Sequence, residues 1–245
     1  MSTLASIAIA GGVGALLAAG VGAQVGAGPA KRRAIDALRA ACAARRALVL
    51  TYDDGPGPTL TPLVLGRLAV AHARATFFLL GMRAPGAEAV VDRILGDGHE
   101  LGCHTKQHVN AMRSSPWRAI RDIDDGYRAL SRWISPNSPF RPPYGKVTVP
   151  TLLALRRRGA PVCFWTVDSR DTARGALPDP ACVADEVRRA GGGVVLLHDF
   201  DRASDAQERA KYVLTVTDQL LLAAEREGLQ IMTMGQLLGL PAPSA

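Results

Sequence analysis

Seven short, mostly apolar runs, separated by turns and amphipathic stretches, punctuate this chain from residue 47 onward. They are Ala47–Thr51, Ala75–Leu80, His99–His104, a short run from Phe140, Pro161–Val167, Val194–His198 and Leu229–Met234. The spacing of apolar residues between them predicts helices near Pro62–His72 and over Ala87–Leu95, Pro116–Trp133, Val149–Arg158, Pro180–Ala190 and Ala206–Gly228. A short helix at Gln236–Leu240 ends the pattern. Strands that are apolar on both faces belong in a parallel sheet covered by helices. Seven strand–helix repeats in one domain fit a closed or nearly closed α/β barrel. A doubly wound open sheet is the alternative, but no glycine fingerprint for a dinucleotide follows the first strand.

No linker interrupts the chain after residue 34, so residues 34–245 are expected to form a single domain. Residues 1–30 differ: they carry no charge, are rich in Ala and Gly, and hold Leu4, Ile7, Ile9, Val13, Leu16, Leu17 and Val21. A span of ~20 apolar residues can cross a bilayer. Residues 4–29 therefore read as a weak membrane anchor, or as an export signal with Val21-Gly22-Ala23 as cleavage site; an Ala/Gly-rich tail is the bland alternative. The cluster Lys31-Arg32-Arg33 would keep the following domain inside by the positive-inside rule, whereas export would put it outside. A membrane-associated or exported protein of the cell envelope is expected, with the side left open.

The net charge of +7 comes from 25 Arg and 4 Lys against 22 acidic residues. These cations are scattered and accompany no nucleic-acid motif, so a nucleic-acid partner is not expected. The four cysteines, at 42, 103, 163 and 182, form no CxxC pair, which excludes zinc-ribbon and thioredoxin-like chemistry.

Polar residues gather where the strands end. Asp53 and Asp54 follow the first strand, His104 and His108 the third, Arg141 and Tyr144 stand at the fourth, Asp168 and Asp171 follow the fifth, and His198 and Asp199 close the sixth. In a parallel barrel these ends share one face, where active sites collect. The four-residue spacing of His104 and His108 would put both imidazoles on one side of a helical turn, as in zinc-chelating pairs. Such a pair alone is weak evidence, since structural or surface histidines show it more often than metal ligands do. Neighbouring residues of a strand point to opposite faces, so Asp53 and Asp54 can share a site only where the strand stops, and Gly55-Pro56-Gly57-Pro58 stops it there. One carboxylate could then bind a metal while the other stays free as a base; without the histidines, a solvated turn would be the simpler reading. His72 and His99 read as core or surface histidines, Trp117 and Trp133 as packing residues. Trp165 reads as a barrel-core aromatic whose neighbour Phe164 points the opposite way, and Cys103 as directed away from His104.

These segments resemble the NodB-homology polysaccharide deacetylases, the family-four carbohydrate esterases. Thr51-Tyr52-Asp53-Asp54-Gly55-Pro56 resembles the first motif, with Tyr where Phe is usual. His104-Thr105-Lys106-Gln107-His108 resembles the metal motif, Arg141-Pro142-Pro143-Tyr144-Gly145 the third and Leu196-Leu197-His198-Asp199 the fifth, in order over residues 47–235. The resemblance implies a distorted (β/α)7 barrel that hydrolyses the N-acetyl group of an amino sugar in a glycan or glycoconjugate, releasing acetate. It implies that Asp54, His104 and His108 hold a divalent ion, Zn2+ first and Co2+ or Mn2+ as alternatives. It further implies Asp53 as general base paired with Arg141, and His198 as general acid oriented by Asp171. The Tyr144 N–H would bind the oxyanion, and Leu196 would line the acetyl-methyl pocket. The fourth motif departs from the pattern: Asp168-Ser169-Arg170-Asp171-Thr172 has Thr where Trp is common, which leaves the sugar pocket more open or differently shaped. A lipid-linked or small substrate is one alternative. A catalytically silent glycan-binding barrel is another, against which a base, an acid and a metal set retained together argue.

Overall fold

The computed structural model describes residues 27–201 and 206–241. β1 (Ala47–Asp53) is its hub. Along one edge it pairs with β5 (Gly193–His198); its other edge is shared by β6 (Gln230–Ile231) at Ala47–Leu48 and β2 (Thr76–Leu79) at Thr51–Asp53. β2 pairs with β3 (Glu100–Cys103), and β4 (Val167–Asp168) with β5. Single bridges Cys103–Phe140 and Phe140–Val162 carry the ring from β3 to the segment entering β4. Every pairing is parallel and the circuit returns to β1, so the fold is the distorted (β/α)7 barrel, with its fourth strand reduced to Phe140.

The helices are α1 (Gly28–Arg45), α2 (Leu60–Val70), α3 (Glu88–Gly96), α4 (Pro116–Ala129), α5 (Val149–Arg158), α6 (Pro180–Ala190), α7 (Ala206–Glu227) and α8 (Met234–Leu238). Alternation along β1 sorts two cores. Leu48, Leu50 and Tyr52 face the helices, where the Tyr52 hydroxyl meets Thr217 Oγ1 at 2.9 Å, while Ala47 and Val49 face inward with Phe78, Phe164 and Val194. α4 begins as its sequence suggests, with Pro116 in the first turn and Ser115 Oγ capping the Arg118 N–H.

Two features differ from the sequence reading. The run Pro161–Val167 is not a continuous strand: the Phe164 carbonyl turns to accept from Arg141 Nη2 (3.3 Å), and the Thr166 hydroxyl takes the Val194 N–H (2.9 Å). Alternation therefore fails there, and Phe164 and Trp165 both pack on the inner core. The second feature is α1, which starts at Gly28, buries Leu38 and Cys42 in the inner core, and ties Ala27 N–H to the Val147 carbonyl. No helix among the described residues is long and apolar enough to cross a membrane, and residues 1–26, on which the anchor or export reading falls, lie outside them.

Candidate active site

The β1–β5 ladder sets Asp53 directly beside His198, the last residues of adjacent strands. The next residue, Asp54, has a left-handed backbone (φ 68°), which turns its carboxylate back over the same mouth. Gly55 permits this turn because a Cβ there would run into the buried Asp199 carboxyl, which accepts the Thr61 hydroxyl (2.6 Å) and which burial pushes up to about 7.

Three ligand atoms converge. Asp54 Oδ1 lies 3.4 Å from His104 Nε2 and 3.3 Å from His108 Nε2, and the three all stand within 4.8 Å of one another. His104 Nδ1–H donates to the Arg141 carbonyl (2.8 Å), which aims Nε2 at Asp54, as second partners do for metal-binding imidazoles. Asp54 Oδ1 is buried with no hydrogen-bond partner, and a buried carboxylate oxygen faced by two imidazole nitrogens fits a divalent cation. The electrostatics agree: burial alone would raise the Asp54 carboxyl, yet the His104 imidazole, with His198 and His108, carries it below the usual carboxylate range. Burial likewise opposes the charge on His104, but Asp53 and then Asp54 raise it above the ordinary value; at His108, burial and then the His104 charge outweigh the pull of Asp54 and Asp53 and push it down to about 4.

The histidine pair does not ride on a helical turn. Residues 104–110 form a loop in which Thr105 (φ 69°) and His108 (φ 60°) are both left-handed. Asp122, on the buried face of α4, holds it: its carboxylate accepts from the N–H groups of Gln107 (2.8 Å) and Val109 (3.0 Å), and its carbonyl from Lys106. A carboxylate among Ala119, Ile123 and Tyr127 on a helix interior was the available sequence signal. Replacing Asp122 by Ala is expected to weaken divalent-ion affinity roughly 10–100-fold, as loss of outer-shell support does. Competition against a chromogenic chelator measures this, and unchanged affinity would show that the loop is held elsewhere.

Asp53 stands apart from the ligand trio. It is buried, with Oδ1 accepting from Arg141 Nη1 (2.9 Å) and Oδ2 3.8 Å from His104 Nε2. Arg141 is fully buried; Nη1 also reaches Thr51 Oγ1 (2.6 Å), and its guanidinium lies 4.2 Å from the Phe78 ring centroid. Across the ladder, Asp171 grips His198 twice: Oδ1 accepts from Nδ1 (2.8 Å) and Oδ2 from the backbone N–H (2.7 Å). Burial would lower His198, but the Asp171 charge and hydrogen bond, aided by Asp54 and Asp53, raise it to about 9. An imidazole gripped in this way favours its protonated form and can give a proton.

Tyr144 sits in the 3-10 turn Pro143–Gly145 at φ 56°, its ring 4.5 Å from that of His108. Leu196 is buried on β5, two residues before His198 and so on the same face. Asp168 does not join the group: it is exposed and accepts from the Arg170 N–H in its own turn. Thr172 lines a cleft beside His198 with Asp171, Phe200, Asp201 and Arg209. Arg209, which the sequence did not single out, holds this loop through the carbonyls of Asp171 and Ala173.

The family model described as polysaccharide deacetylase matches residues 40–163. A peptidoglycan-N-acetylglucosamine deacetylase of Bacillus cereus is 32% identical over 194 residues, covering 78% of this chain and 87% of that one. A chitooligosaccharide deacetylase of a Bradyrhizobium species is 32% identical over 202 residues, 78% of this chain and 90% of the relative. Among solved structures, the peptidoglycan deacetylase PdaC from Bacillus subtilis superposes with a TM-score of 0.65 at 27% identity, covering 79% of this chain and 90% of that chain. Likeness at this level runs along most of each partner and falls on the same barrel, and it shows that the chain belongs to the polysaccharide deacetylase family.

Proposed function

We propose that this protein removes the N-acetyl group from N-acetylglucosamine units of a glycan, releasing acetate and a free amine. The observation that carries this reading is the separation of two adjacent carboxylates. Asp54 faces two imidazole nitrogens, while Asp53 is clamped to a buried arginine and stands beside a histidine held by Asp171. The names of the two relatives sharing 32% identity supply the substrate class.

Asp54, His104 and His108 would hold the ion, and two imidazoles with a carboxylate favour Zn2+, with Co2+ or Mn2+ as substitutes. Such an ion supplies Lewis-acid polarisation of a carbonyl and activation of water. Asp53, held as an acceptor by Arg141, takes the proton of the attacking water as the new C–O bond forms. The Tyr144 N–H donates to the oxygen that gains negative charge. His198 gives its proton to the nitrogen as the C–N bond breaks, since an unprotonated amide nitrogen is a poor leaving group. Leu196 offers the apolar wall for the acetyl methyl. An enzyme of envelope glycans works at or beyond the membrane, which suits the apolar residues 4–29 as anchor or export signal.

The test is acetate release from N-acetylglucosamine oligomers by the full chain, with Zn2+ or Co2+ added and with chelator. Chelator-sensitive release is expected. No release from protein carrying one ion per chain would reject this substrate class, and failure to bind any ion would reject the hydrolase.

A further inference from the structure

Lys31 stands in the first turn of α1, in a stretch whose sequence suggests only a basic cluster beside a membrane. Its side chain instead turns inward. Nζ donates to the Gly145 carbonyl (2.9 Å) and lies 5.4 Å and 5.5 Å from the ring centroids of Phe164 and Trp165. Two aromatic faces and a carbonyl oxygen suit an ammonium. Yet burial, and then the charge of Lys146, lower Lys31 below the usual lysine range. A cation half-buried next to another cation loses solvation, so the compensation has to come from what it holds.

What it holds is the turn of the third motif. Tyr144 (φ 56°) and Gly145 (φ 59°) are consecutive left-handed residues, and a tyrosine keeps that conformation only where its surroundings impose it. A Cβ on Gly145 would stand 2.7 Å from Trp165 Cη2 and 2.9 Å from Lys31 Nζ, so the turn rests directly on both side chains. A second tie runs from the same end of the helix, Ala27 N–H to the Val147 carbonyl at 3.3 Å. On the mouth side, this turn sets the Tyr144 ring against His108.

We propose that Lys31 is a positioning residue for the deacetylation: by holding the Gly145 carbonyl it fixes the Pro143–Gly145 turn, and with it the Tyr144 backbone N–H that receives the developing oxyanion. The inference rests on the function proposed above and gives it a specific support outside the motifs. Lys31→Met keeps the length and apolar stem but loses the charge and the donor; Lys31→Arg keeps both. In the full chain loaded with Zn2+, Lys31→Met is expected to lower kcat about tenfold with KM within about twofold, because the lost contact acts at the oxyanion. Amide hydrogen exchange should quicken in residues 142–148 and nowhere else, and Lys31→Arg should restore most of both. Wild-type kcat in Lys31→Met, no rescue by Lys31→Arg, or faster exchange throughout the molecule would each overturn the proposal. If the wild-type chain released no acetate, the function would fail, while the exchange comparison alone would still decide whether Lys31 holds the turn.

Discussion

Asp53→Asn is expected to lower acetate release by about 10³-fold or more while one divalent ion stays bound per chain. The ligand trio does not include Asp53, whose nearer oxygen is 3.8 Å from His104 Nε2, so metal content should change little. Asparagine still accepts the Arg141 hydrogen bond but cannot take a proton, and the loss of a general base together with its charge accounts for a change of this size. The variant also leaves the Arg141 guanidinium buried without its counter-charge, a cost of about 3 kcal/mol or more. Turnover must therefore be measured well below its lowered Tm. His108→Ala provides the contrast, since it removes a ligand and should lose metal and activity together. Atomic absorption on dialysed protein and an acetate assay separate the two outcomes. A full rate in Asp53→Asn would move the base to another group.

The parts of the site legible in the sequence are those whose chemistry is unusual where it falls. An Asp pair at the end of an apolar run, and histidines and an arginine at other strand ends, needed only the parallel-barrel geometry to converge. The supports were not legible because they are ordinary residues whose role exists only in three dimensions. Thr51 reads as one more strand residue until Arg141 Nη1 reaches it, and Lys31 reads as part of a basic cluster until Gly145 folds over it. The histidine loop was misread as helical because spacing alone says nothing of two non-glycine residues at positive φ, which Asp122 imposes from another element. α1 carries mostly Ala and Arg with few apolar anchors, so its amphipathicity is weak; tertiary contact of Leu38 and Cys42 with the inner core decides it. The run Pro161–Val167 is less of a strand than its apolar content suggests for the opposite reason, since that content does not reveal that Arg141 and the Thr166 hydroxyl take backbone groups a ladder would use.

Asp171→Asn should have the second largest effect, and it tests the assignment of the acid through pH. The asparagine offers one oxygen where His198 needs two acceptors, so either the backbone N–H or Nδ1–H loses its partner and the imidazole loses its orientation. A fall in kcat of roughly 10²–10⁴-fold is expected, as when the orienting carboxylate of other acid–base histidines is amidated. The linkage has a definite sign. His198 is raised from 6.5 to about 9, chiefly by Asp171 against the opposing effect of burial. Its contribution to stability is therefore fully present below the unfolded value and is lost as pH rises through the folded one, a window from about 6.5 to about 9. Asp199, pushed up to about 7, also loses stabilisation as pH rises, but it does so in both proteins and cancels in the difference. The Tm advantage of metal-free wild type over Asp171→Asn should accordingly be largest below pH 6.5 and shrink towards pH 9. In the metal-loaded enzyme the substitution should move the alkaline limb of kcat to lower pH, because the Asp171 charge no longer favours the imidazolium. A Tm difference that did not vary across this window would show that His198 is not held protonated by Asp171, and the leaving nitrogen would need another proton donor.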